Sequence, residues 1–187
     1  MGKTETAKMF AALGVPVFDS DTAVHSLYAV CGEAVEPIGK AFPGAVKGGA
    51  VDRPTLMAAL QKDQGGFARL EAIVHPLVAQ KQREFTAAHM AAELIVFDIP
   101  LLFETGGDSR MDLVVVTSAP AEVQHARALA RPGMTPEKLE QILSRQMPDL
   151  EKCTLADYVV DTGQGLAHAR AQVLTIVAEL KAKRSHA

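Results

Sequence analysis

Apolar positions recur along this chain with two different periods. Short, nearly continuous and largely β-branched runs at Val15-Pro16-Val17-Phe18, Leu94-Ile95-Val96-Phe97, Leu113-Val114-Val115-Val116 and, more weakly, Tyr158-Val159-Val160-Asp161 predict strands buried on both faces of a parallel sheet. Helical patterns lie between them. Ala7, Met9, Phe10, Ala11 and Leu13 give a short helix face that Gly14 ends, and further patterns run from Ala121 to Ala130 and from Pro136 to Gln146. A closing helix from Leu166 to Lys183 carries Leu166, Ala169, Val173, Ile176, Val177 and Leu180 on one face. Strands alternating with helices predict an α/β fold built on a doubly wound parallel sheet.

The alternation is interrupted between Asp21 and Ala92. Asp21 to Tyr28, Glu33 to Phe42, Arg53 to Gln61 and Phe67 to Met90, the last broken near Pro76, read as helices, and no convincing strand lies among them. Pro43-Gly44 and Gly48-Gly49 mark turns, and Gly65-Gly66 opens the last helical section. The expected organisation is one domain over 1–187: core segments 1–20, 93–126 and 156–187, a helical insertion 21–92 and a lid 127–155. An insertion of this kind can form one wall of a substrate cleft.

With 19 Lys and Arg against 22 Asp and Glu, the formal charge of -3 disfavours a broad basic surface for nucleic acid, and the expected partner is small. Cys31 and Cys153 are too few for a disulfide framework or a zinc cluster and read as two reduced thiols of a cytoplasmic protein. No apolar run approaches a membrane span. Met1-Gly2-Lys3-Thr4-Glu5-Thr6 fits the N-myristoylation pattern, but phosphate chemistry explains the same residues better.

That chemistry starts at Gly2-Lys3-Thr4, the closing residues of a phosphate-binding loop running into a helix. In such a loop main-chain N–H groups cradle phosphates, the lysine reaches the terminal ones and the hydroxyl binds Mg²⁺. Asp19-Ser20-Asp21 follows a strand and so emerges at the carboxyl edge of the sheet, where open α/β folds bind ligands, and is expected near Lys3; Ser20 or Asp21 can equally cap the next helix. Asp98 ends a second strand at that edge, placed to hold the water shell of a magnesium ion or to serve only as a structural acceptor. His75-Pro76 sits among apolar neighbours in a helix that the proline is expected to break, exposing the imidazole. Gln124, Arg127 and Arg131 repeat at helical spacing, and Arg145 follows the Pro132-Gly133 break. They form either a solvated basic face or a lid over a polyphosphate.

Taken together, GKTETAKMFAALGVPVFDSD, AIVHPLV, VFDIPLLFE, the stretch from Gln124 through RQMP, and ADYVVDTG resemble the dephospho-CoA kinase family nearly end to end. The resemblance implies a P-loop kinase with core, CoA-binding and lid regions that uses ATP and Mg²⁺ to phosphorylate the ribose 3′-hydroxyl of dephospho-CoA. It implies roles for Gly2, Lys3 and Thr4 at the phosphates, Asp21 at the acceptor hydroxyl, His75 and Pro76 in the acceptor pocket, and Arg127 and Arg131 in the lid. Asp98 would support the metal through water, and Thr162 would lie near the adenine. Another small-molecule P-loop kinase, such as a nucleoside monophosphate kinase, shares the loop and lid but takes a different acceptor. A non-catalytic nucleotide- or CoA-binding module is the third reading.

Two departures from the family pattern stand out. Thr162 replaces a customary asparagine with a hydroxyl that has fewer donors. The motif also calls for five residues ahead of its second glycine, and only Met1 stands there. Met1 therefore reads as an internal residue of the loop, with the opening strand upstream. A chain starting at Met1 is expected to fold poorly or bind ATP weakly, since each buried main-chain group left unpaired costs about 1–3 kcal/mol.

Overall fold

The computed structural model describes residues 2–184; Met1, read above as an internal loop residue, and residues 185–187 lie outside them. Along the chain run α1 (Lys3–Ala12), β1 (Val17–Asp19), α2 (Ser20–Tyr28), α3 (Val35–Ala41), β2 (Val46–Lys47), β3 (Ala50–Val51), α4 (Arg53–Gln61) and α5 (Gly66–Ala88). There follow β4 (Val96–Asp98), β5 (Val115–Ser118), α6 (Ala121–Leu129), α7 (Pro136–Leu143), α8 (Asp149–Leu155), β6 (Tyr158–Asp161) and α9 (Leu166–Arg184). These elements fall into two compact units, residues 1–17 with 92–187, and residues 18–91.

In the first unit α1 and α9 pack together over a core of Phe10, Val15, Val160, Ala169, Val173, Ile176 and Val177, with Val96, Val115 and Leu180 against it. The apolar face of α9 begins one turn later than the pattern suggests, because Leu166 is 64% exposed. β5 and β6 are parallel, with Val115 opposite Tyr158 and Ser118 opposite Asp161. β5 starts two residues beyond the expected Leu113 because the Val114 N–H donates to the Asp157 carboxylate (2.7 Å) and its carbonyl receives the N–H groups of Asp157 and Tyr158. β4 also starts two residues late, at Val96, whose N–H donates to the Pro16 carbonyl (2.9 Å).

In the second unit α2, α3 and α4 all pack on α5 around Leu27, Ile38, Phe42, Leu56, Leu60 and Val74. Two expectations fail here. A short antiparallel hairpin, β2 with β3, occupies a stretch read as strandless, with Val46 opposite Val51 and Lys47 opposite Ala50. Its turn is Gly48-Gly49, both at positive φ (56° and 79°), the backbone that joins strands in two residues and that side chains resist. Two-residue strands are too short to show alternation. Nor does Pro76 break the long helix: α5 runs through it unbroken. Proline only removes one N–H and crowds one turn, and the burial of Val74 and packing of Ile73, Leu77 and Val78 outweigh that local penalty.

Candidate active site

The first turn of α1 builds the centre of the site. Gly2 precedes the helix at φ +121°, and its carbonyl accepts the Thr6 N–H (2.8 Å). The N–H groups that open a helix lack internal partners and make an anion site there. Lys3, the first helical residue, places Nζ 2.7 Å from Oδ1 of Asp98, the last residue of β4. The carboxylate is 5% exposed and the lysine 37%, so the pair has one foot in the core and its ammonium at the surface. Thr4 stands exposed beside it, whereas the Thr6 hydroxyl is buried without a partner among the described residues.

Against this turn lies the loop after β6. Thr162 is 7% exposed, and both its N–H and its hydroxyl donate to the Ser118 carbonyl (2.8 and 2.9 Å). Arg127, from α6, donates Nη1 to the Thr162 hydroxyl (3.2 Å) and Nη2 to its carbonyl (2.9 Å). A Cβ on Gly2 would come 2.8 Å from Thr162 Cγ2. Gly2, Thr162 and Arg127 are thus one contact group. Beside them the Gln172 amide pairs with both main-chain groups of Asp161, as a neighbouring strand would. The Asp161 carboxylate receives the Gly163 N–H and the Gln164 side chain, which hold its pKa below the usual carboxylate value.

The remaining candidates are divided between the two units. Arg131 and Arg145 are exposed, and between them Gly133 turns the chain at φ +73°, its carbonyl taking the Lys138 ammonium. Gln124 serves structure, donating to the Ala119 carbonyl (2.7 Å). In the second unit Asp19, not Ser20 or Asp21, caps α2 by accepting the Thr22 N–H (2.9 Å), which leaves Asp21 exposed on the first turn. His75 and Pro76 are exposed midway along α5.

Sequence reasoning passed over Glu104. Its carboxylate, 15% exposed, takes the Lys152 ammonium (2.7 Å) and the Met147 N–H (2.9 Å). A charge closing the apolar run Ile99-Pro100-Leu101-Leu102-Phe103 is the signal that could have marked it.

Metal donors are sparse: among the described residues no three His, Cys, Asp or Glu side chains cluster. One hydroxyl and one carboxylate near a helix start suit magnesium, which keeps most of its water and binds chiefly through substrate phosphates.

A model of the dephospho-CoA kinase family matches residues 1–168. The chain is 56% identical over 186 residues to a dephospho-CoA kinase of Mesorhizobium japonicum, covering 98% of this chain and 93% of that one. It is 54% identical over 183 residues to one of Rhizobium etli, covering 97% and 89%. Among solved structures, TT1252 from Thermus thermophilus matches with a TM-score of 0.82 at 31% identity, covering 95% of this chain and 91% of that chain. A dephospho-CoA kinase from Campylobacter jejuni shares the fold at a TM-score of 0.71 and 22% identity, covering 98% and 93%.

Proposed function

The chain belongs to the dephospho-CoA kinase family, and we propose on that premise that the Lys3–Asp98 pair marks where it holds the phosphates of ATP. The family's fold is α/β of the P-loop kinase kind, and its activity is ATP-dependent phosphorylation of dephospho-CoA, the last step of coenzyme A synthesis. The observation that carries the assignment of the site is the ammonium of Lys3 held at the start of α1 by a buried strand-end carboxylate.

In this reading the N–H groups of the first turn of α1, with Gly2, cradle the phosphates, and Lys3 balances charge as it shifts toward the leaving oxygen. Thr4, and Asp98 through water, would hold Mg²⁺, which supplies further charge neutralisation on the phosphates. Arg127, Arg131 and Thr162 bind the nucleotide, and Arg131 adds positive charge at the transferred group. Asp21 orients the ribose 3′-hydroxyl and accepts its proton, and His75 and Pro76 contact the acceptor. The lid excludes water, so that the phosphoryl group goes to the alcohol. Residues 1–20, 93–126 and 156–187 then act as core, 21–92 as the CoA-binding insertion and 127–155 as the lid, in a cytoplasmic enzyme.

Two measurements test this. The protein with ATP, Mg²⁺ and dephospho-CoA forms coenzyme A, and an acceptor panel that favoured a nucleoside monophosphate would overturn the assignment. Asp21→Asn keeps ATP binding and loses transfer; undiminished turnover would remove Asp21 from the reaction.

A further inference from the structure

We propose that Glu104 is a positioning residue for phosphoryl transfer, fastening the corner between α7 and α8 to the loop that follows Asp98 and so setting the arginine-bearing segment ahead of that corner. The inference rests on the reading of the ATP site given above and adds to it the anchor of the lid.

The loop that carries Glu104 is stiff. The Thr105 N–H and hydroxyl both donate to the Leu101 carbonyl (3.1 and 2.9 Å), Gly106 N–H to Phe103 (3.0 Å) and Gly107 N–H to Leu102 (2.8 Å). Leu101 is held at φ +57°, a conformation that leucine avoids, and the internal bonds keep it there. A carboxylate on such a loop has little freedom relative to Asp98 at its root.

Glu104 Oε1 reaches the far side of the chain's long excursion through α6 and α7. It accepts the Met147 N–H just before α8 and the Lys152 ammonium within α8. A second peg lies close by, where the hydroxyl of Ser118, the last residue of β5, donates to Asp149 Oδ2. The corner is thereby fixed at the carboxyl ends of two strands. On its amino-terminal side, Arg131 and Arg145 remain exposed and Gly133 supplies a flexible turn. Met147 stands two residues from Arg145, so fixing its main chain limits where that guanidinium can go.

Stability alone is a poor reason for this pair. Glu104 Oε2 is buried without a partner among the described residues, and a partly buried ion pair gains little over apolar side chains of like volume. Burial raises the Glu104 pKa, but the hydrogen bonds from Lys152 and from main-chain N–H groups outweigh it and keep the carboxylate charged. A charged carboxylate can do what an apolar group cannot: it grips one main-chain N–H and one ammonium together and fixes their direction.

The test compares Glu104→Ala, Glu104→Gln and Lys152→Met in the full chain. Rates are measured against ATP and against dephospho-CoA, together with ATP hydrolysis in the absence of dephospho-CoA and tryptic cleavage after Arg145. For Glu104→Ala the expected result is a KM for ATP raised about tenfold, more ATP consumed than coenzyme A formed, and an unchanged KM for dephospho-CoA. Glu104→Gln, which can still accept the Met147 N–H, falls between it and the parent, and cleavage after Arg145 quickens in the order of the lost contacts. If the alanine variant does not fold, the other two substitutions carry the test. Folded variants with the parent KM for ATP, tight coupling and parent cleavage rates overturn the proposal. A parent protein that forms no coenzyme A overturns the functional reading instead, and the cleavage rates still report on the anchor.

Discussion

Arg127 grips Thr162 at two points, its hydroxyl and its carbonyl, and so joins α6 to the loop after β6 beside the first turn of α1. Two bonds at once fix the direction of the guanidinium. Thr162→Val keeps the shape of the side chain but removes the acceptor for Nη1 and the bond to the Ser118 carbonyl. A hydrogen bond to a charged group contributes about 1.5–3 kcal/mol, so the KM for ATP is expected to rise about tenfold, with Thr162→Ser close to the parent. Steady-state kinetics in ATP decides it, and a valine variant with the parent KM would show that the hydroxyl does not orient Arg127.

Gly2 admits no side chain. At φ +121°, and with Thr162 Cγ2 only 2.8 Å from where a Cβ would sit, Gly2→Ala faces both backbone strain and a steric clash. ATP binding, measured by calorimetry, should weaken at least tenfold. Combining it with Thr162→Ser, which deletes Cγ2, should recover part of the steric share, leaving the tight approaches to Cβ and Oγ1 (3.1 Å each) and the backbone share, so the two substitutions are non-additive. Additive losses would mean that Gly2 and Thr162 act separately.

The sequence marked the strand ends better than the strands. Asp98 and Asp161 were legible because buried apolar runs end in an acid, and the α1 start because Gly-Lys-Thr precedes a helix. β5 was misplaced because its boundary depends on Asp157, which lies close to Val114 only in the folded chain. Glu104 and Gln172 were invisible for the same reason: their partners are distant in sequence, and neither residue type declares its use. The β2–β3 hairpin escaped because its information is nearly all in Gly48-Gly49, which also suits an open turn. The unbroken α5 shows tertiary burial overriding a local rule, since Val74 on its inner face is 7% exposed.

Acid should weaken the second unit through Asp52. This residue caps α4, accepting the Thr55 N–H (3.1 Å) and hydroxyl and the Lys47 ammonium (2.9 Å). The Thr55 hydroxyl first, then Lys47, hold its pKa at about 2 against an ordinary 3.8. A folded-state pKa below the unfolded one means stability that is fully present above about pH 4 and is lost as pH falls toward 2. Urea midpoints at pH 5 and pH 2.5 should therefore differ more in the parent than in Asp52→Asn, which still caps the helix but does not titrate. Equal differences would show that the cap carries no charge-dependent share.

Pro76 allows stability and function to be separated within one helix. It lies inside α5, where it cannot donate to the carbonyl one turn back, and its ring is exposed on the face opposite the buried Val74. Proline within a helix is about 3 kcal/mol less favourable than alanine. Pro76→Ala should therefore raise the stability of the protein by about 1–3 kcal/mol in urea unfolding, the lower end applying if packing has already adapted to the ring. The proline ring lies on the exposed side of α5, where His75 precedes it. If the pair forms part of the acceptor pocket, the same variant should raise the KM for dephospho-CoA several-fold while leaving the KM for ATP unchanged. A more stable protein with both KM values unaltered would remove Pro76 from the acceptor site. A less stable one would show that the packing around α5 depends on the proline ring.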